Sequence, residues 1–173
     1  MGILSGNQKE EPMHYGEISA VWSFSAKAKG SVSCYQVFKN HAGDQDLKKI
    51  LEDLINQARQ EITECDALLA DNGFTPPPAF PDKPQEKVED IPAGARLTDQ
   101  EIAALISADV ALGLVACSQT IGMCIREDIA AQFAKYHNAK LTLSGRILRM
   151  NKEKGWLVPP PLQMKRPELV ETK

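Results

Sequence analysis

The chain lacks long apolar runs. Its longest, residues 108–117, is interrupted by Asp109 and is too short by itself to cross a bilayer. It also lacks a dominant charge. Twenty Lys and Arg stand against 23 Asp and Glu, for a net charge of −3 and a pI near 5.7. That balance gives no electrostatic footprint for nucleic acid or anionic lipid. Residues 1–11 do not show the charged-then-apolar order of a secretory signal. Met1-Gly2 without Ser or Thr at position 6 is a poor acylation signal. The expectation is a cytoplasmic protein with neither a nucleic-acid nor a membrane partner.

Catalytic signatures are missing too. No Gly-x-Gly-x-x-Gly, phosphate-binding loop or Gly-x-Ser-x-Gly elbow occurs, and nothing points to Cys–His nucleophilic chemistry. The four cysteines, Cys34, Cys65, Cys117 and Cys124, form no C-x-x-C pair. They are expected as small buried apolar residues in a reducing compartment, not as zinc ligands.

What the chain does have is a proline-rich break at 73–97, containing Pro76-Pro77-Pro78 and Phe80-Pro81-Asp82-Lys83-Pro84. Apolar residues recur at three- and four-residue spacing on both sides of it, which predicts two pairs of helices, at 12–42, 44–72, 98–125 and 128–154. The inward line of the first reads Glu17, Val21, Phe24, Ala28, Val32, Tyr35, Phe38, with Pro12 in its first turn and Gly43 as a left-handed cap. The second reads Leu47, Leu51, Leu54, Ala58, Glu61, Cys65, Leu68 after an Asp44 N-cap. The third starts with a Thr98–Glu101 capping box and presents Ile102, Ile106, Asp109, Leu112 with Gly113, Ala116, Thr120 and Met123. The fourth, capped by Asp128, presents Ile129, Phe133, His137, Leu141, Ser144 and Leu148.

The break is long enough to carry the chain back along the bundle. About 25 extended residues reach roughly 75 Å at ~3.1 Å each, whereas a helix of about 28 residues is only ~42 Å long. The fold class expected is therefore all-α: a single ferritin-like four-helix bundle spanning 1–173, two antiparallel helix pairs joined by a crossover. Residues 156–162 are expected to lie extended with Trp156 packed, and residues from Gln163 onward to be disordered.

Inward lines should be apolar, so their exceptions carry information. These are Glu17, Glu61, Asp109 and His137, with His14 one turn before Glu17. Three carboxylates and an imidazole from four helices have the parts list of a bundle-core metal site, with iron or manganese as the expected ion. In the expected topology Glu61 and His137 share a level, with Glu17 and Asp109 about 9 Å to either side at ~1.5 Å per residue. The ligand spacing argues against a di-iron oxidase, because no Glu-x-x-His occurs; there are only His14-x-x-Glu17 and Glu61-x-x-Glu64.

Each residue also has a structural reading. Glu17 can complement the helix dipole or pair with Lys9, and Glu61 can pair with Lys140 or Arg149. His137 can be a hydrogen-bonded core histidine, and Asp109 can bond Ser107 or a tyrosine hydroxyl. The Gly113 and Gly122 region is a third candidate, as an apolar cavity.

His14-Tyr15-Gly16-Glu17-Ile18 followed by Val21-Trp22 resembles a family of bacterial ferritin-like proteins of unknown function, sometimes described as spore coat proteins related to coat protein F. Asn72-Gly73-Phe74 before the prolines, 118–129, and Glu153-Lys154-Gly155-Trp156-Leu157 before Pro159-Pro160-Pro161 are similar as well. The resemblance covers nearly the whole chain. It implies a four-helix fold, a cytoplasmic, forespore or spore-coat setting, and self-association or contact with other coat proteins. It implies no catalytic residues.

Overall fold

The computed structural model of the protein describes residues 11–161 and holds four long helices: α1 (Tyr15–His41), α2 (Gln45–Asp71), α3 (Asp99–Met123) and α4 (Glu127–Glu153). Lys9, the last residue of the expected tail and the disorder expected from Gln163 fall outside the described residues.

Local chemistry sets the helix starts. Asp44 caps α2 by accepting from the amides of Asp46 and Leu47, and Thr98 and Glu101 close a capping box on α3, both as expected. α1 begins later than Pro12 suggested. His14 is its N-cap: Nδ1 accepts from the Gly16 amide at 2.9 Å, and Glu17 reaches back to the His14 N–H at 3.1 Å. The N-cap of α4 is Arg126, not Asp128; the Asp128 carboxylate pairs with the Arg126 guanidinium at 2.6 Å.

Gly73 and Gly155, at φ 82° and 70°, end α2 and α4 in the left-handed region. The next residue in each case, Phe74 or Trp156, returns its N–H at 2.9 Å to the carbonyl of Leu69 or Asn151. Gly43 does not adopt this conformation. A Cβ there would stand 3.3 Å from a carboxylate oxygen of Asp99, a tight contact.

α1 packs on α2 and α3 on α4, with weaker α1–α3 and α2–α4 contacts closing a four-helix bundle. The crossover climbs α1 in order. Trp22 Nε1 donates to the Thr75 carbonyl, Lys29 to that of Pro77, and Asn40 to that of Pro84; the Leu97 amide then donates to His41. Lys29 is buried because its ammonium has three acceptors: Pro77 and both oxygens of Asp66, at 3.0 and 2.7 Å. Near the top, single helical turns at Val88–Asp90 and Ala93–Ala95 lead into α3.

The core has one cluster towards each end. Leu47, Leu51, Ile102, Ile106 and Ile147 anchor one, and Val21, Phe24, Phe133 and Tyr136 anchor the other. Each such aliphatic or Phe side chain contributes about 1.5–3 kcal/mol on burial. The expected inward lines of α1 and α2 match the buried residues except at two positions: Phe38 is only partly buried, and Leu69 takes the place of Leu68; Ser25 and Lys29 are buried on α1 as well. α4 departs after Phe133: Tyr136, Leu143 and Ile147 face inward, while Leu141 and Leu148 are exposed.

α3 corrects another expectation. The stretch Ala93–Met123 is long and apolar enough, by length and composition alone, to cross a membrane, although only 33% of its most apolar window is buried. Ile102, Ile106, Val110, Gly113, Cys117 and Thr120 face the core, while Leu105, Leu112 and Val115 face outward.

Candidate functional site

Midway along the bundle, charged side chains from all four helices converge on a cavity of about 30 Å³. α2 supplies Glu61, which is buried, and α4 supplies Lys140. The Lys140 ammonium lies 2.8 and 2.9 Å from the two Glu61 oxygens, and Gln57 donates to the same carboxylate at 3.0 Å. Lys140 also sits 5.4 Å from the centre of the Phe24 ring, within cation–π range. Room for its stem comes from Gly113 on α3, where a Cβ would meet Lys140 Cδ at 2.9 Å. The space expected near Gly113 is therefore filled by a lysine stem, and a Cβ on Gly122 would meet no atom within 4 Å.

Asp109 and Tyr35 border the same cavity. The Tyr35 hydroxyl donates to Asp109, Ser31 donates at 3.2 Å, and Lys27 stands 3.2 Å away. Burial opposes charge on Asp109, but the Tyr35 bond, Lys27 and Ser31 together hold its carboxyl below the usual range. Burial and then the Asp109 hydrogen bond push the Tyr35 hydroxyl far above its ordinary value. The tyrosine partner foreseen for Asp109 is thus present. Ser107 turns away to the Ala103 carbonyl.

Glu17 lies at one end of the bundle. It is buried, and Oε1 accepts from the Ile125 and Arg126 amides, both at 2.9 Å, while Oε2 serves the His14 cap. His14 in turn places Nε2 3.2 Å from the Met123 carbonyl, as the donor that the Nδ1 bond leaves it. His137 is half-buried on α4 and is not part of the cavity lining; Tyr136 and Lys140 take the inward positions around it.

The four anticipated ligands, Glu17, Glu61, Asp109 and His137, therefore do not form one set. Among the described residues, no three of His, Cys, Asp or Glu are grouped to hold a metal ion. Glu61 and Asp109 do share a cavity, but each already faces an ammonium. The donor set does not fit an iron or manganese centre.

The cysteines divide by environment. Cys65 and Cys117 are buried, with thiols pushed up by burial to about 12 and about 11. Cys124 is partly buried and is likewise raised to about 11, whereas Cys34, expected beside the core, is exposed.

Similarity to known proteins extends over nearly the whole chain. The profile of the family described as "Protein of unknown function (DUF3231)" matches residues 1–169. The "Uncharacterized protein YvdQ" of Bacillus subtilis (strain 168) is 46% identical over 166 residues, covering 96% of this chain and 98% of its own. A crystal structure from Bacillus halodurans C-125, of a protein described as a "putative spore coat protein", superposes with a TM-score of 0.90 at 46% identity. That match covers 92% of this chain and all of the other. With its profile, a full-length relative and a solved fold in agreement, the chain belongs to the DUF3231 family.

Proposed function

We propose that the protein is a non-enzymatic structural or interaction protein associated with the spore or its coat, acting through self-association or contact with other coat proteins. The observation that carries this reading is the contrast between core and surface. In the core, Glu61 and Asp109 are each matched by an ammonium and by hydroxyl or amide donors. On the surface, α3 exposes Leu105, Leu112 and Val115, at 47, 61 and 55%. A helix apolar on both faces is usually covered. The likeness to the protein from Bacillus halodurans supports the spore setting.

Two measurements test this together: sedimentation of the purified protein over a range of concentrations, and localisation of a tagged copy in sporulating cells. Concentration-dependent assembly and spore-associated signal are expected. A strict monomer that never reaches spores would overturn the proposal. The rival reading, a metal-binding bundle using Glu17, Glu61, Asp109 and His137, makes a separate demand. Protein incubated with Fe(II) or Mn(II) would have to retain stoichiometric metal, and Glu61→Ala would have to lose it.

A further inference from the structure

We infer that the face formed by α1 and α3 is a dimer interface, in which α1 of each copy packs on α3 of a second copy about a two-fold axis parallel to the bundle. This deepens the reading of the protein as a self-associating one and rests on it.

The distribution of charge singles out that face. α2 carries ten Asp, Glu, Lys and Arg residues and α4 carries eight. On α1, between Ile18 and Phe38, there are only Lys27 and Lys29, and Lys29 is buried against Asp66 and the Pro77 carbonyl. On α3, between Ile102 and Met123, Asp109 is alone. The α2–α4 side is thus solvated like ordinary surface, and the α1–α3 side is not. The crossover leaves that side bare, because it follows Trp22, Lys29, Gln36 and Asn40, another stripe of α1.

The face is high on one helix and low on the other. α3 raises a ridge of exposed leucines, Leu105 and Leu112. Beside the ridge, between α1 and α3, lie two open depressions of about 400 and 380 Å³. Gly30 and Ser31 line the first, Ala20 and Ser23 line the second, and Lys27 stands between them.

Two symmetric arrangements lay this face on a copy of itself. Lys27 and Asp109 decide between them, because each lies within two residues of the middle of its helix. With the axis across the bundle, α1 meets α1 and α3 meets α3. Lys27 then opposes Lys27, Asp109 opposes Asp109, and leucine ridge meets leucine ridge. With the axis along the bundle, α1 meets α3 at one level. Lys27, which stands 3.2 Å from Asp109 within one copy, then faces Asp109 of the other as well. Each leucine ridge enters the depressions of its partner. Like charges opposed across an interface are strongly disfavoured, so the second arrangement is the one the face fits.

The area is adequate. With 27 residues at ~1.5 Å each, α1 is about 40 Å long, and two helices each ~10 Å across make the face about 20 Å wide. That is roughly 800 Å² per copy, the size of a standard specific interface.

The test is sedimentation equilibrium of the full chain over a range of concentrations. A Cβ on Gly30 or on Gly145 meets no atom within 4 Å, so the monomer has room for a side chain at either position. Gly30→Leu fills a depression of the proposed interface, whereas Gly145→Leu adds the same side chain to exposed surface on α4. Gly30→Leu should dimerise at least about tenfold more weakly than wild type and melt no lower, since leucine is the better helix former. Gly145→Leu should dimerise like wild type. Lys27→Glu should weaken dimerisation about tenfold or more, and its equal mixture with wild type should fall between the two. Dimerisation of Gly30→Leu at wild-type strength would overturn the inference and leave self-association standing on another face. So would a mixture that associates more tightly than wild type alone, since that places α1 against α1. Wild type that stays monomeric and floats with phosphatidylcholine vesicles would make a bilayer the occupant. A wild type that stays monomeric without vesicles overturns the dimer too, but the broader reading then stands if a tagged copy still reaches spores.

Discussion

Lys140 of α4 and Glu61 of α2 meet across the bundle with the ammonium 2.8 and 2.9 Å from the two carboxylate oxygens, beneath the Gly113 backbone of α3. The Glu61 carboxylate is 1% exposed and the Lys140 side chain 16%. Removing either partner alone leaves a charge with little water to turn to, a loss of about 3–5 kcal/mol. Replacing both with Leu and Met leaves neither charge, and such exchanges are often neutral or stabilising. Urea denaturation of Glu61→Leu, Lys140→Met and the double variant should show two strongly destabilised singles and a double close to wild type. Additive losses in the double would sink this account.

Gly113 has its own consequence. A methyl group there would intrude on Lys140 Cδ, so Gly113→Ala must displace the lysine stem or push α3 outward. Overpacking of this kind costs about 1–3 kcal/mol. The cost should shrink when Lys140→Ala is present as well, a coupling that a double-mutant cycle reads directly.

Glu17 and Asp99 form a matched pair of ties between the hairpins. Glu17, in the first turn of α1, accepts the Ile125 and Arg126 amides of the α3–α4 connection. Asp99, at the start of α3, accepts the Gly43 and Asp44 amides of the α1–α2 connection at 2.8 and 3.0 Å. Glu17 is fully buried and Asp99 only partly, so losing Glu17 strands its amides more completely. An unmet buried donor costs about 1–3 kcal/mol. Glu17→Ala is expected to destabilise more than Asp99→Ala and to speed hydrogen exchange at Ile125 and Arg126. Unchanged exchange there would show that the carboxylate is not what protects those amides.

Much of this was legible in the chain. The proline break, the Asp44 and Thr98 caps and the inward lines of α1 and α2 follow from short-range chemistry. What was not legible depended on a partner far away in sequence. The α4 phase slipped after Phe133 because His137, Leu141 and Leu148 look more inward than Tyr136, Lys140 and Leu143. A mostly covered lysine such as Lys140 reads as surface until its carboxylate is placed opposite. The same holds for Lys29, whose burial rests on Asp66 and on the Pro77 carbonyl of the returning crossover. Glu17 stood out as an inward carboxylate, but nothing local revealed that its targets were backbone amides of the α3–α4 connection.

Acid should weaken the bundle with a defined sign. Asp44, Asp109 and Asp128 have folded-state pKa values below the ordinary carboxylate value: Lys154 acts on Asp44 and Arg126 on Asp128, while Tyr35 and Lys27 outweigh burial at Asp109. A depressed pKa means that the folded state holds the proton less tightly. The stabilisation is thus present above the unfolded value of about 3.9 and is lost as pH falls through the folded values. The melting temperature should be level down to about pH 5 and fall below about pH 4. Asp109→Asn should make that fall shallower; an equal slope in both proteins would remove Asp109 from the explanation.

Thiol chemistry gives an independent reading of the core. Only the thiolate attacks an alkylating reagent, and burial suppresses both its formation and its access. Cys34, exposed on α1, should be labelled by iodoacetamide in native protein at pH 8 well before Cys124. Cys65 and Cys117, raised to about 12 and about 11, should be labelled only as the protein unfolds. Peptide mass mapping after timed quenching distinguishes the four sites. Early labelling of Cys65 would mean that the Phe24–Phe133–Tyr136 cluster opens readily.

The outer face of α3 supports the last prediction. Leu112 is 61% exposed and Leu105 47%, one heptad apart on the same side of the helix, with Val115 at 55% nearby. A charge at an exposed site barely alters the fold, because it is already solvated, but it is costly to bury in an interface. Leu105→Glu and Leu112→Glu should therefore leave thermal stability within about 0.5 kcal/mol at low concentration while shifting sedimentation towards monomer. Leu141→Glu, on α4, separates two uses of exposed leucine. If assembly runs through the α3 face, this change on another exposed leucine leaves the assembly intact. Assembly that survives the α3 substitutions and yields to Leu141→Glu would move the self-association surface from α3 to α4.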